Sequence, residues 1–177
     1  MTDTADKPIA NTPHAVKLVL RLRSNPRHRG ALRRGGSPAT ERYAYPLLAG
    51  SWRAETKAAV LCFAAAAAHH DTIPDGNVRL GAALKMAFPD EDRAVQRLEL
   101  CQTQTLPAFM VTVRRILDQA APRLRSTGLS WTDLYWTLLN WDHPEPDRRD
   151  RARQRLCEDY WRAPETADPE ATTAATS

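Results

Sequence analysis

The chain has 177 residues, 42% of them hydrophobic, with 25 basic residues against 21 acidic ones and a net charge of +4. That length fits one domain or two small lobes and buries a core without covalent staples. Cys62, Cys101 and Cys157 are odd in number and far apart with no CxxC pair, which excludes a disulfide frame and a thiolate zinc site.

Residues 1–13 carry acids and prolines and no apolar run, so they read as a disordered lead-in and not as a secretion signal. From His14 to Arg23, Val16, Val19 and Leu20 share one helical face while Lys17 and Arg21 take another. Pro26 suits an early position of the next helix, expected to reach Arg34 and stop at Gly35-Gly36. Residues 21–34 hold six arginines and no carboxylate. At about 100° per residue, Arg27 and Arg34 align within about 20°, and Arg29 and Arg33 form a second ridge about 130° away. Gly30 lies between the ridges, a gap where another backbone can come close. Residues 17–57 carry ten basic residues against Glu41 and Glu55, a local charge of 10 − 2 = +8. Such a concentration repels itself unless a polyanion covers it.

Ser37-Pro38 is expected to restart a short helix with Tyr43, Tyr45, Leu47 and Leu48, and Ser51 to cap a long one. Trp52, Val60, Leu61, Phe63 and the alanines 64–68 make that long helix the centre of a first lobe, residues 14–88. After a turn at 73–77 a helix is expected over 78–88, and Pro89-Asp90 marks the boundary to a second lobe, residues 89–162. Its first helix covers 90–102, acidic in the first turn as the helix dipole prefers. Leu106, Phe109, Met110, Val113, Ile116, Leu117 and Ala120 then recur as a buried stripe, with Arg114 and Arg115 off it. Ser130 and Asp133 form a capping-box-like start to a helix that buries Trp131, Leu134, Tyr135, Leu138 and Trp141. The last helix, 147–161, has five arginines (148, 149, 151, 153, 155) before Leu156, Tyr160 and Trp161 return to the core. Residues 163–177 read as a disordered tail. No segment alternates long enough to make a strand. The expected fold is all-α, a two-lobed helical bundle of about eight or nine helices. The longest apolar run, 58–68, is short of the about 20 residues that span a bilayer, so a cytoplasmic protein with no membrane partner is expected.

Signals for catalysis are poor. The adjacent His69 and His70, followed by Asp71, point about 100° apart on a helix and do not share a metal as an i, i+4 pair would. The segment from Gly30 to Gly36 lacks the phosphate-loop spacing and a preceding strand. Neither enzymatic activity, metal nor cofactor is expected. Three arginine clusters remain: 27–34, 114 with 115, and 148–155. If their faces join, they form a strip that follows a phosphate chain and sets position without reading sequence. No helix pairs Asn or Gln with Arg in a major-groove pattern. Arg27, Arg29, Arg53 and Lys57 are candidate phosphate contacts on this argument. The alternatives are a helical DNA-binding regulator, a small hydrolase with His69, His70 and Asp71 at its site, and a structural adaptor whose arginines pair with acidic protein surfaces.

A family resemblance is spread along residues 14–162. Its pieces, in order, are Gly30-Ala31-Leu32-Arg33-Arg34 with a Ser-Pro turn and Tyr45-Pro46-Leu47-Leu48, then Leu80-Gly81-Ala82-Ala83-Leu84, then Val113-Arg114-Arg115-Ile116-Leu117. Leu129-Ser130-Trp131, Leu138-Leu139-Asn140-Trp141, a run of arginines and Leu156-Cys157-Glu158-Asp159-Tyr160 complete it. In these the chain resembles CasB, the small subunit of the type I-E CRISPR surveillance complex Cascade. Gln96-Arg97, Ala82 and Leu156 depart from the family pattern, so no phosphate contact is expected at 82 or 96. The resemblance implies a non-catalytic, RNA-binding and DNA-binding subunit that acts in antiviral defence. Its partners would be the other Cascade subunits, the crRNA, a second copy of itself, and the target and non-target DNA strands of the R-loop. Arg33, Arg34, Arg114, Arg115, Arg149 and Arg151 are the phosphate contacts carried over from it.

Overall fold

The structure is a computed structural model, and it describes residues 13–164. Most of the expected lead-in and most of the expected tail lie outside the described residues. Among the described residues the chain forms nine α-helices and one short strand. They are α1 (His14–Arg23), α2 (Pro26–Arg34), α3 (Tyr45–Leu48), α4 (Lys57–His69), β1 (Asp75–Val78), α5 (Leu80–Ala87), α6 (Glu91–Thr103), α7 (Leu106–Thr127), α8 (Trp131–Asn140) and α9 (Pro146–Arg162). The all-α expectation holds.

Local chemistry sets the ends. Asn25 caps α2 by accepting from the Arg27 amide, and Pro26 sits at its first position. Asp90 accepts from the Arg93 amide at α6, and Ser130 from the Asp133 amide at α8. Four expectations are corrected. Ser51 does not cap the alanine-rich helix: a 3-10 turn, Ala54–Thr56, intervenes and α4 begins at Lys57. The segment after Pro38 is a 3-10 turn, Glu41–Tyr43, followed by the single turn of α3. The loop expected between the clean stripe and Gly128 is helical instead, because α7 runs on through Pro122 to Thr127. The turn at residues 73–77 leads into a short strand, whose Asp75 and Val78 bridge to Leu129. The Leu129 amide donates to the Pro74 carbonyl (3.0 Å) and the Ser130 amide to the Val78 carbonyl (2.7 Å). Gly128, at φ 74°, lets the two backbones meet there, since a Cβ would strike Asp75 and Gly76.

Helix α4 is the centre. Every residue from Ala59 to Ala68 except Cys62 is buried, and α1, α2, α7 and α8 pack around it. Alanine on all sides lets those neighbours come close. Phe63 meets Trp131 and Tyr135 edge-on at 6.2 and 5.2 Å, and Phe109 stacks on Trp141 at 3.4 Å. The buried indoles are satisfied, Trp131 Nε1 by the Ile73 carbonyl and Trp141 Nε1 by the Gln104 carbonyl. Across the expected boundary at Pro89, α5 packs against α7 and α9, so residues of both expected lobes contribute to one hydrophobic core. Gly81 sits at that seam, where a methyl group would land on the Leu156 carbonyl and the Tyr160 amide of α9. Trp161 is the exception among the expected core aromatics: it is 57% exposed.

Candidate nucleic-acid interface

The arginines divide by what holds them. Arg23, one of the six in the basic stretch, belongs to the interior. It is 7% exposed, lies over the Trp131 ring, and donates to the carbonyls of Ile73 (2.8 Å) and Ala67 (3.5 Å). Burial pulls its guanidinium down to about 10, with Asp75 working against that, so it stays charged at neutral pH. Arg123 donates to the Met86 carbonyl at the end of α5, and Arg153 to the Gln102 carbonyl. These guanidinium groups close helix ends, where carbonyls lack internal partners.

Helix α2 turns Leu32 into the core and flanks it with Arg29 and Arg33. Both reach the C-terminal end of α4. Arg33 Nε donates to the Ala68 carbonyl (2.9 Å), and Arg29 and Arg33 pair with Asp71. The other ridge stays open. Arg27 and Arg34 are exposed and have no ion pair among the described residues. The Arg34 guanidinium lies over the Tyr43 ring at 4.9 Å. A Cβ at Gly30 would meet nothing within 4 Å, so the gap between the ridges is real.

Helix α7 adds its charge to the same corner. Arg114 and Arg33 both act on His69 and His70, which end α4. Burial pushes His69 down to about 4, with the Arg114 and Arg33 guanidinium groups adding to the shift. Burial also lowers His70; Asp118 opposes the shift, and Arg114 and Arg33 add to it. His70 is 6% exposed, and its Nε2 has no hydrogen-bond partner among the described residues, with Asp118 Oδ1 at 3.8 Å. Arg114 and Arg115 are both exposed, again without an ion pair among the described residues. The corner therefore joins helices from distant parts of the sequence around a pair of neutral imidazoles. Among the described residues, no group of three or more His, Cys, Asp or Glu side chains is placed to hold a metal.

The remaining candidates differ among themselves. Lys57 is paired with Glu41 (2.8 Å) and lies over the Tyr45 ring; Lys57 and the Tyr45 hydroxyl hold the Glu41 carboxyl below its usual range. Arg53 is exposed and unpaired among the described residues, and Arg149 pairs with its neighbour Asp150 (3.3 Å). Arg151 has no ion pair among the described residues and lines a cleft between α8 and α9. The arginines of α9 thus gather on a different pair of helices from those of α2. No helix among the described residues is long and apolar enough to cross a membrane.

The family model of the CRISPR-associated protein Cse2 matches residues 28–161. The chain belongs to the Cse2 family. Its fold is shared by two solved structures from Thermus thermophilus, the Cse2-family protein TTHB189 and CasB. Each is 22% identical to this chain and covers 83% of it and 95% of its own length, with TM-scores of 0.63 and 0.62. No curated protein matches the chain. The matched span holds α3 to α8, nearly all of α9 and the Arg33–Arg114 corner, while α1 with Arg23 lies before it. Membership makes the chain a CRISPR-associated protein of the kind that forms Cascade-type complexes, in keeping with the resemblance drawn from its motifs.

Trp136, Arg148 and Arg155 line the α8–α9 cleft with Arg151; the two flanking arginines belong to the expected 148–155 cluster, whereas Trp136 is not among the sequence candidates. A helical wheel carries part of the signal, because Trp136 falls off the stripe of Trp131, Leu134, Tyr135 and Leu138.

Proposed function

We propose that this chain is a non-catalytic, nucleic-acid-binding small subunit of a type I-E CRISPR surveillance complex in the cytoplasm. It would stabilise the crRNA–target duplex and the displaced DNA strand through contacts to their backbones, beside other Cascade subunits and a second copy of itself. Base pairing reads sequence in such a complex, and protein supplies an electropositive path. The observation that carries this reading is the corner at the end of α4, where Arg33 of α2 and Arg114 of α7 act on the same two histidines; elsewhere on those two helices Arg27, Arg34 and Arg115 stay exposed and unpaired among the described residues. Arg53, Lys57, Arg149 and Arg151 are secondary contacts. Arg29 acts as an anchor to Asp71 that phosphate can compete for.

A salt titration of single-strand binding tests it. With about five phosphates neutralised, log affinity falls against log salt with a slope of about −3.5. Replacing Arg27, Arg34, Arg114 and Arg115 together by alanine is expected to remove about 0.7 per lost contact and bring that slope to about −0.7 while the helical circular dichroism is kept. A flat slope in the unsubstituted protein would sink the electrostatic mechanism.

A further inference from the structure

Helices α8 and α9 leave a cleft of about 260 Å³ between them. One wall is α8, with Asp133, Trp136, Thr137 and Asn140; the other is α9, with Arg148, Arg151, Ala152 and Arg155. Along α9 these arginines fall at i, i+3 and i+7, the spacing of one helical face. Arg148 pairs at 2.8 Å with Glu145, the residue just before α9, and Arg155 reaches Asp133 at 3.4 Å. Arg151, between them, has no ion pair among the described residues. With three arginines and one carboxylate, the cleft carries a charge of 3 − 1 = +2.

Trp136 is what the charge surrounds. It is 37% exposed, whereas Trp131 on the same helix and Trp141 just past its end are fully buried. Its only ring neighbour among the described residues is Tyr135, edge-on at 5.6 Å. Thr137 donates its hydroxyl to the Asp133 carbonyl, and Asn140 its amide hydrogen to the Trp136 carbonyl. Both polar side chains are thereby held in place on the α8 wall. A second depression continues past Arg151 and Arg155 towards Gln154 and Arg162. An indole with cations in register along one side suits a ligand with alternating π-faces and negative charges. Single-stranded nucleic acid has that chemistry.

We propose that the α8–α9 cleft is a stacking subsite in which Trp136 holds one unpaired nucleobase while Arg148 and Arg151 grip the adjoining phosphates. This rests on the proposed role as a strand-holding subunit and adds the element that distinguishes an unpaired base from a duplex. An acidic protein segment is the competing occupant, and it would engage the arginines without needing the indole.

Two oligomers of equal length separate the contributions: a single-stranded thymidine oligomer and its abasic counterpart, which keeps the phosphates and lacks the bases. The unsubstituted protein is expected to bind the base-bearing strand more tightly. Trp136→Ala is expected to weaken that strand alone by about 5- to 150-fold, and Trp136→Phe to restore most of the loss. Arg151→Ala is expected to weaken both strands alike. Equal loss on both strands in Trp136→Ala, or no loss on either, overturns the stacking subsite and leaves the electrostatic reading standing if the salt slope persists. If neither strand binds the unsubstituted protein at low salt, both proposals fall together. If Trp136→Ala and Arg151→Ala both bind the two strands as the unsubstituted protein does, the cleft belongs to a protein partner.

Discussion

Two regions set a guanidinium against the same end of α4, and they do opposite things with it. In the interior seam, Arg23 reaches the Ala67 and Ile73 carbonyls from α1 and is 7% exposed under Trp131. At the outer corner, Arg33 reaches the Ala68 carbonyl from α2, yet its side chain is 42% exposed and it shares His69 and His70 with Arg114. Residue type and acceptor are alike; the difference is which surroundings complete the charge. In the seam, carbonyls and an indole do so, and the residue becomes part of the fold. At the corner, Asp71 does so only in part, and the remaining field faces water, where phosphate can compete for it.

Removing each guanidinium tests the comparison, and the largest effect belongs to the seam. Arg23→Ala leaves the Ala67 carbonyl buried without its side-chain donor, leaves the Ile73 carbonyl with the Trp131 indole alone, and strips the cation from Trp131. A loss of about 3 kcal/mol is expected, and with it a drop in melting temperature of roughly 6–12 °C. The folded fraction should bind single strands as before. Weakened binding at full folding would make Arg23 part of the interface and erase the distinction.

The difference between Arg23 and Arg34 was not legible in the sequence, because both sit in the same acid-free stretch and only tertiary contacts separate them. Helices α1 and α2 were readable from apolar periodicity and from Pro26. The start of α8 was readable from Ser130, whose hydroxyl bonds the Asp133 amide as the pattern implied. These signals are local and so survive without knowledge of the fold. The strand β1 was invisible because its partner is the single distant residue Leu129. Trp161 falls five residues past Leu156, about 140° around α9, so it leaves the face that Leu156 and Tyr160 bury and is 57% exposed. Similarly, the pairing of Arg29 and Arg33 with Asp71 depends on where α4 ends. At the candidate site the positive charge could be read from composition, but which charges stay available could not.

The histidines give a smaller effect with a definite sign. His69 and His70 both have proton affinities lowered by folding, through burial and then through Arg114 and Arg33, while Asp118 opposes. Their contribution to stability is complete above the unfolded value of about 6.5. It is lost as pH falls from there towards the folded value of about 4 for His69, because the unfolded chain takes up protons that the folded chain refuses. His69→Gln removes one such group, so the fall in melting temperature between pH 6.5 and 4 should become shallower. An unchanged acid limb would mean that His69 is not held neutral at the corner.

The smallest effect decides how Asp71 should be understood. If Asp71 masks the corner, Asp71→Asn keeps the shape, costs on the order of 1 kcal/mol of partly buried ion pairing, and releases Arg29 and Arg33. Affinity for a single strand should then rise a few-fold, and the salt slope should steepen by up to about 1.4, at about 0.7 per added phosphate contact. If Asp71 instead holds the two arginines in the direction phosphate needs, the same substitution lowers affinity, because the released side chains regain the rotamer freedom that binding must remove again. The slope separates the two roles even where the affinity change is small. A steeper slope means added contacts, and an unchanged slope with weaker binding means lost alignment.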